Sequence, residues 1–321
     1  MITAIALALV VAGGLALYAW WGATLVAGGV SVGWVLAGLP IAFFAVPLVF
    51  AVLWFTLAWF FRAPRPRDHH IGFKGFLRMF ALEVIAIAGS APRMIAYGLL
   101  MRDPPPAPAD LPVLLLHGVL CNAGVWEAFR RYLRQRGIGP VYALSYGPPL
   151  GSIDDFADQT ALKIDAILAA TGARQVVIVG HSMGGLVARA YLRRFGGAKV
   201  RRLITIATPH QGSRHAYMMM GTSLAQLRPG NPWLKALVQH RAADEPPIVS
   251  LWSRHDSMVT PQTSSVLERA ENVALIGIGH NALLRDRAVF ARVAEEIERA
   301  KRDQPPLPDT KDSAEEHMAS G

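Results

Sequence analysis

Gly180-His181-Ser182-Met183-Gly184-Gly185 stands between an apolar run that ends at Val179 and a helical pattern that continues to Phe195. A serine hydroxyl is a weak nucleophile near neutral pH, so it needs a base to take its proton and an acid to orient that base. A strand entering and a helix leaving so tight a turn hold the Ser182 hydroxyl above the sheet edge, at a helix N-terminus. Only Gly180 and Gly184, without Cβ, let the two backbones come that close. The chemistry this suits is attack on a carbonyl carbon through an acyl-enzyme. On such a scaffold the acid and then the base follow the serine. Asp256 comes just after an apolar run ending at Trp252, and His280, in Gly277-Ile278-Gly279-His280-Asn281, just after one ending at Ile276. Both belong at the C-terminal edge of a parallel sheet, where Ser182 also is. His255 neighbours the acid but lies on the wrong loop, His210 and His215 fall in an irregular insertion, and Asp244 and Glu245 precede their strand.

The oxygen that becomes negative on attack needs preorganised donors. The backbone N–H of Met183 is one, and the N–H of Val119, in the loop His117-Gly118-Val119-Leu120-Cys121-Asn122, is the expected second. His117 is expected to be a buried structural partner beneath the site. Cys121, with no paired histidine indicated, is set aside as a nucleophile.

The elements that must position these residues alternate in type. Apolar runs at Val113 to Leu116, Val141 to Leu144, Gln175 to Val179, Val200 to Ala207, Ile248 to Trp252 and Val273 to Ile276 predict strands. Helical patterns at Val125 to Arg136, Asp154 to Ala170, Ser182 to Phe195 and Arg285 to Lys301 lie between and after them. Strands that are almost continuously apolar predict an α/β fold with a doubly wound, mainly parallel sheet covered on both faces. This catalytic domain is expected over 111–302, with a lid insertion at about 210–247. Tyr217, Met218, Met219, Met220, Leu224, Leu227, Trp233, Leu234 and Leu237 give the insertion an apolar face, which suits acyl chains and equally suits core packing. Asp103-Pro-Pro-Pro-Ala-Pro-Ala-Asp110 reads as a stiff linker over 103–110, and the Pro-containing, mixed-charge tail over 303–321 as disordered.

The first part of the chain obeys a different solvent. The 321 residues include 32 Lys and Arg and 23 Asp and Glu, and not one of these precedes Arg62. Two apolar runs, from about Ile2 to Val26 and from about Val32 to Phe61, are separated by Gly28, Gly29 and Ser31. Each exceeds the roughly 20 residues that span a bilayer, so a transmembrane helical hairpin is expected over 1–61. The second run must tilt, bend at Pro40 or Pro47, or start later than Val32. Five of the eight tryptophans lie here, most near the run ends, where indoles prefer the headgroup zone. A buried core hairpin is the alternative. No cleaved signal peptide is expected, because no cation precedes the first run.

Arg62, Arg65, Arg67, Lys74 and Arg78 follow the second run, whereas the turn at 27–31 is uncharged. The positive-inside bias places that end in the cytoplasm, making the chain a multi-pass protein of a bacterial-type inner membrane with a cytoplasmic catalytic domain. Residues 62–102 read as a basic juxtamembrane, interfacial helix, its apolar face carrying Phe73, Phe76, Leu77, Phe80, Val84 and Ile87. A third crossing over 71–100 would make the domain periplasmic, but would bury Glu83 or Arg93 in hydrocarbon. The net charge of +9 is thus partly juxtamembrane, and with no aromatic-interleaved basic motif it does not point to nucleic acid. A single cysteine excludes an intrachain disulfide.

His117-Gly118, the Gly180–Gly185 run, Thr208-Pro209-His210-Gln211-Gly212-Ser213, Leu227-Arg228-Pro229-Gly230-Asn231, Asp256 and Gly279-His280-Asn281 together resemble the bacterial triacylglycerol lipases of the α/β-hydrolase superfamily, over roughly residues 111–300. The resemblance implies a serine ester hydrolase with a mobile lid over an acyl-binding cleft, and with an anchor that places the site near lipid the expected partners are membrane lipid and a hydrophobic acyl ester. The hairpin lies outside it. Some of those lipases hold calcium near the histidine, but here Asp286 alone stands as a candidate ligand, so neither metal nor cofactor is expected. Thioester cleavage or acyl transfer by the same triad, or a membrane-tethered scaffold without turnover, are the alternatives. Acyl-chain length, head group and oligomeric state are not set by the sequence.

Overall fold

The computed structural model describes residues 2–240 and 243–303; beyond Asp303 the tail expected to be disordered lies outside them. Six parallel strands, β1 (Val113–Leu116), β2 (Val141–Leu144), β3 (Val176–His181), β4 (Val200–Ile206), β5 (Ile248–Ser253) and β6 (Glu271–Leu275), form one sheet in the order β2-β1-β3-β4-β5-β6. The helices, in chain order, are α1 (Ile2–Ala27), α2 (Val32–Phe61), α3 (Phe73–Ile95), α4 (Tyr97–Leu100), α5 (Glu127–Gln135), α6 (Ile153–Thr171), α7 (Met183–Phe195), α8 (Thr222–Gln226), α9 (Pro232–Gln239) and α10 (Arg287–Arg302). The expected strands and helices of the catalytic domain appear with bounds displaced by two residues or fewer.

Side-chain alternation along the strands divides the core in two. Val113, Leu115, Val177, Val179 and Ile204 face a cluster with Phe129 and Leu133 of α5 and Val289, Phe290 and Val293 of α10. Leu114, Leu116, Val176 and Ile178 face the other cluster, with Phe156 and Ile164 of α6 and Leu186 and Val187 of α7. Burial on both faces is why these strands are continuous apolar runs. The chain moves outward from β1 to β2, then returns to lay β3 on the far side of β1. The loops leaving β1 and β3 therefore flank a topological switch point, where α/β sheets open a crevice. The first carries His117-Gly118-Val119, and the second carries Ser182.

The expected lid divides as well. Leu224, Leu227, Leu234 and Leu237 pack into the core with α6 and α7, whereas Tyr217, Met218 and Met220 are exposed. The apolar face read from the sequence is thus core for its leucines, partly buried against that core for Met219 and Trp233, and surface for Tyr217, Met218 and Met220.

α1, α2 and α3 are each long and apolar enough to cross a membrane. α2 begins at Val32 and runs through Pro40 and Pro47 to Phe61 as one helix. Small residues let α1 and α2 meet closely: Gly22 faces Val35, Gly38 faces the Tyr18 hydroxyl, and that hydroxyl donates to the Val35 carbonyl at 2.6 Å. Outward-facing Leu9, Ile41, Val49 and Phe60 are exposed, which suits hydrocarbon and not water. α3 differs. Its Met79, Glu83, Val84, Ala86 and Ala88 are buried, while Phe73, Leu77 and Ile85 are exposed. Val84, expected on the interfacial face, is turned inward. At the end of α3, Asn122 Nδ2 donates to the Met94 carbonyl at 2.8 Å, and Arg93 pairs with Glu127 of α5 at 3.2 Å. The segment after α2 also reaches the catalytic domain: Ala63 N–H donates to Gln262 Oε1 at 3.1 Å, and Arg65 Nε to the Arg254 carbonyl at 2.8 Å.

Candidate functional site

Ser182 adopts φ 54° and ψ −125°, a left-handed conformation that costs a side chain of order 1–3 kcal/mol. The surrounding packing imposes it. Ser182 N–H donates to the Ile206 carbonyl at 2.8 Å, anchoring the turn across β4. A Cβ on Gly180 would lie 2.6 Å from Gly185 N, and one on Gly184 would overlap the Leu116 carbonyl. Met183 follows as the first residue of α7, so its amide belongs to the unpaired N–H groups of a helix start. Across the switch point the Gly118 backbone lies against Ser182: a Cβ at Gly118 would be 3.1 Å from Ser182 Cβ and 3.5 Å from its Oγ. The amide of Val119 is next along the chain, in a turn closed by Cys121 N–H to the Gly118 carbonyl at 3.3 Å.

Asp256 and His280, 2% and 3% exposed, are brought together. His280 Nδ1 donates to both Asp256 oxygens, at 2.9 and 3.0 Å. Asp256 Oδ1 also accepts from the amides of Met258 and Val259, each at 2.7 Å. The His280 ring lies 4.7 Å, centroid to centroid, from that of His181, the residue before Ser182, and His181 Nε2 donates to the His280 carbonyl at 3.3 Å. Burial acts against a proton on His280, but the Asp256 charge and hydrogen bond, and then the Glu83 charge, outweigh it and raise its pKa above the usual value. The other shifted histidines move down. His117 falls to about 4 through burial; burial, and then the Arg65 charge, take His255 to about 4. Burial also lowers His181, His210 and His215. Burial pushes the Cys121 thiol up to about 12, which keeps it protonated.

His117 is buried, stacks on Tyr146 at 4.0 Å and donates from Nδ1 to the Gly118 carbonyl at 2.8 Å, which steadies the loop carrying Val119. His210 is buried against Arg189 and Thr205. His215 binds Thr260 Oγ1 at 2.8 Å and the Trp54 carbonyl of α2 at 3.4 Å. Asp286 caps α10, accepting from the amides of Ala288 and Val289 at 2.8 and 3.1 Å.

Glu83, which the sequence suggested only as an obstacle to a third crossing, is 1% exposed and sits behind the histidine. Its Oε1 accepts from Ser257 Oγ at 2.9 Å and from the backbone and side-chain amides of Asn281, each at 3.0 Å. Its Oε2 accepts from Ala282 N–H at 2.9 Å. Ser257 Oγ in turn accepts from His280 N–H at 3.4 Å. Ser257, next to Asp256, and Asn281, next to His280, are thereby both fixed. Gly279 is explained by the same contact, since a Cβ there would overlap Glu83 Oε2.

The profile of the alpha/beta hydrolase family matches residues 113–311. A triacylglycerol lipase from Burkholderia plantarii is 32% identical over 151 residues, 43% of this chain and 40% of that protein. One from Pseudarthrobacter phenanthrenivorans is 32% identical over 112 residues, 33% of this chain and 35% of that protein. The chain thus spans about two fifths or less of the curated relatives it matches. The crystal structure of mature Bacillus licheniformis lipase BlEst2 superposes with a TM-score of 0.53 at 18% identity, covering 61% of this chain and 96% of that one. Aspergillus fumigatus lipase B gives 0.52 at 19% identity, covering 59% and 52%. These structural likenesses speak for the fold.

Replacing Glu83 by Gln puts an amide N–H where Ala282 N–H needs an acceptor. The expected outcome is a loss of about 1–3 kcal/mol, the cost of a buried unsatisfied donor, seen as a lower thermal midpoint in detergent. Gly279→Ala should destabilise through the same contact, and together the two changes should cost less than the sum of their separate effects.

Proposed function

Because the chain belongs to the alpha/beta hydrolase family, we propose that it is a membrane-anchored serine hydrolase of carboxylic esters, with lipid or another acyl ester as substrate. The observation that carries this reading is the buried Asp256–His280 pair on the sheet edge that presents Ser182 in its strained turn. Ser182 Oγ attacks the ester carbonyl while His280 Nε2 takes its proton; Asp256 holds the imidazole through Nδ1 and stabilises the imidazolium. The Val119 and Met183 amides receive the oxyanion. His280 then protonates the departing alcohol, and water, deprotonated by the same imidazole, releases the acid. The relatives called triacylglycerol lipases favour an ester with a long acyl chain, and exposed Tyr217, Met218 and Met220 offer an apolar surface that would suit one.

α1 and α2 are the membrane hairpin in this reading, with the arginines after α2 on the cytoplasmic side. In the same reading α3 lies outside the membrane, which is supported by Glu83, near its middle, being bonded into the catalytic domain. Its exposed Phe73, Leu77 and Ile85 are left to rest on the bilayer surface. The site is then held close to lipid.

In detergent micelles, initial rates on esters of increasing acyl length should rise with length, and Ser182→Ala should lower them by about 10⁴-fold or more. Turnover of thioesters alone would move the reading to a thioesterase, and turnover of none to a scaffold. The pH dependence tests the charge next to the histidine. His280 must be neutral to accept the proton, so kcat/KM should fall as pH drops through its raised pKa. Glu83→Gln removes one of the charges that raise it, so the acid limb of that profile should move to lower pH.

A further inference from the structure

A cavity of about 720 Å³, within the range of small-ligand sites, lies where the end of α2, residues 62–71 and the start of α3 meet the loop of His255 and Asp256. Its walls are chemically divided. Phe55, Phe73 and Phe76 give it an apolar side, with Phe55 and Phe76 in edge contact at 5.9 Å. Arg62, Arg65 and His255 give it a donor side. Among the described residues no carboxylate pairs with Arg62 or Arg65; Arg62 stacks over Trp59 at 3.4 Å, and Arg65 spends its Nε on a carbonyl. Asp256 also lines the cavity, but its carboxylate is engaged by His280 and two amides.

His255 is the sharper sign. It is 3% exposed, and its Nδ1 accepts from Gly277 N–H at 3.2 Å. Held neutral, the ring must therefore carry its proton on Nε2, and that Nε2 is a buried donor with no acceptor. Buried donors are ordinarily paired. What is missing is an acceptor, next to two guanidinium groups and an aromatic wall, at the end of a helix apolar enough to cross a membrane.

We propose that this cavity binds an anionic phospholipid, its phosphate meeting Arg62, Arg65 and His255 and an acyl chain lying against Phe55, Phe73 and Phe76. The lipid would enter sideways from the leaflet at the α2 end. Its headgroup would abut the loop that carries Asp256. A fatty-acid carboxylate shares the anion-plus-chain chemistry, and the test separates the two.

The full chain, in bilayer discs of phosphatidylcholine and in a Ser182→Ala background so that no probe is cleaved, is irradiated with a trace of phosphatidylglycerol bearing a photoreactive acyl chain, or with a photoreactive fatty acid. Cross-links are mapped by mass spectrometry. Phosphatidylglycerol should label residues 55–79, and Arg62→Gln with Arg65→Gln should cut that labelling at least about tenfold, the scale of one lost charge-assisted hydrogen bond. His255→Phe, which keeps the ring and removes the donor, should also lower it. Arg67→Gln with Arg78→Gln removes the same charge outside the cavity and should leave it unchanged, all variants being compared at an unaltered thermal midpoint. Equal losses in the two double variants would reduce the effect to diffuse surface charge and overturn the site. Labelling by the fatty acid alone, or cross-links outside 55–79, would overturn the phospholipid assignment. The readout involves no turnover, so it stands apart from the catalytic reading.

Discussion

A carboxylate taken out of water costs several kcal/mol unless donors replace its hydration, and Glu83 is the one carboxylate of α3, carried by that helix into the interior beside the loops after β5 and β6. Four donors meet it, from Ser257, Asn281 and Ala282. Much else follows from that match. α3 can dock along the catalytic domain only in the register that delivers Glu83 to these groups. The loop of His280 can take only the path that presents them, and Gly279 must be a glycine because the carboxylate occupies the space of its side chain.

Ser182 and the Asp256–His280 pair draw their rigidity from different sources. Ser182 and the Gly118 loop are fixed by the sheet, through the switch point between β1 and β3 and the bond from Ser182 N–H to β4. Asp256 and His280 lie on loops after β5 and β6, where β6 is a half-exposed edge strand. Those loops are braced instead by the N-terminal part of the chain. Glu83 holds the histidine side. On the acid side, Gln262 donates to the Asp256 carbonyl at 3.0 Å and accepts from Ala63 N–H. His215 links Thr260 to the carbonyl of Trp54 in α2. The helices that suit a bilayer therefore form part of the frame that holds the Asp256–His280 pair.

What could be read from the sequence was what depends on local pattern. The turn at Ser182 declares itself because strand, glycines and helix are contiguous, and the buried parallel strands because they are unbroken apolar runs. Asp256 and His280 stand out by their places after strands, and their side chains are hydrogen-bonded to each other. Glu83 was not legible as a positioning group, because its partner Asn281 is 198 residues away and nothing nearby marks the contact. The one available signal was its being the sole acid within the sequence of α3, where a buried charge demands distant donors. The insertion failed for another reason: leucines and methionines at helical spacing look alike whether they face a core or a cleft, and only packing separates Leu224 from Met220.

Ser182 is proposed to be the reactive group, served by Asp256 and His280 that Glu83 holds in place. The most direct measurement is the rate of covalent labelling of the intact chain by a fluorophosphonate, with the adduct located by mass spectrometry. The account requires a single adduct on Ser182, formed more slowly in folded Glu83→Gln protein at neutral pH. Folded protein that takes no adduct, or takes it on another residue, would contradict the triad; equal rates in the two proteins would contradict the role of Glu83.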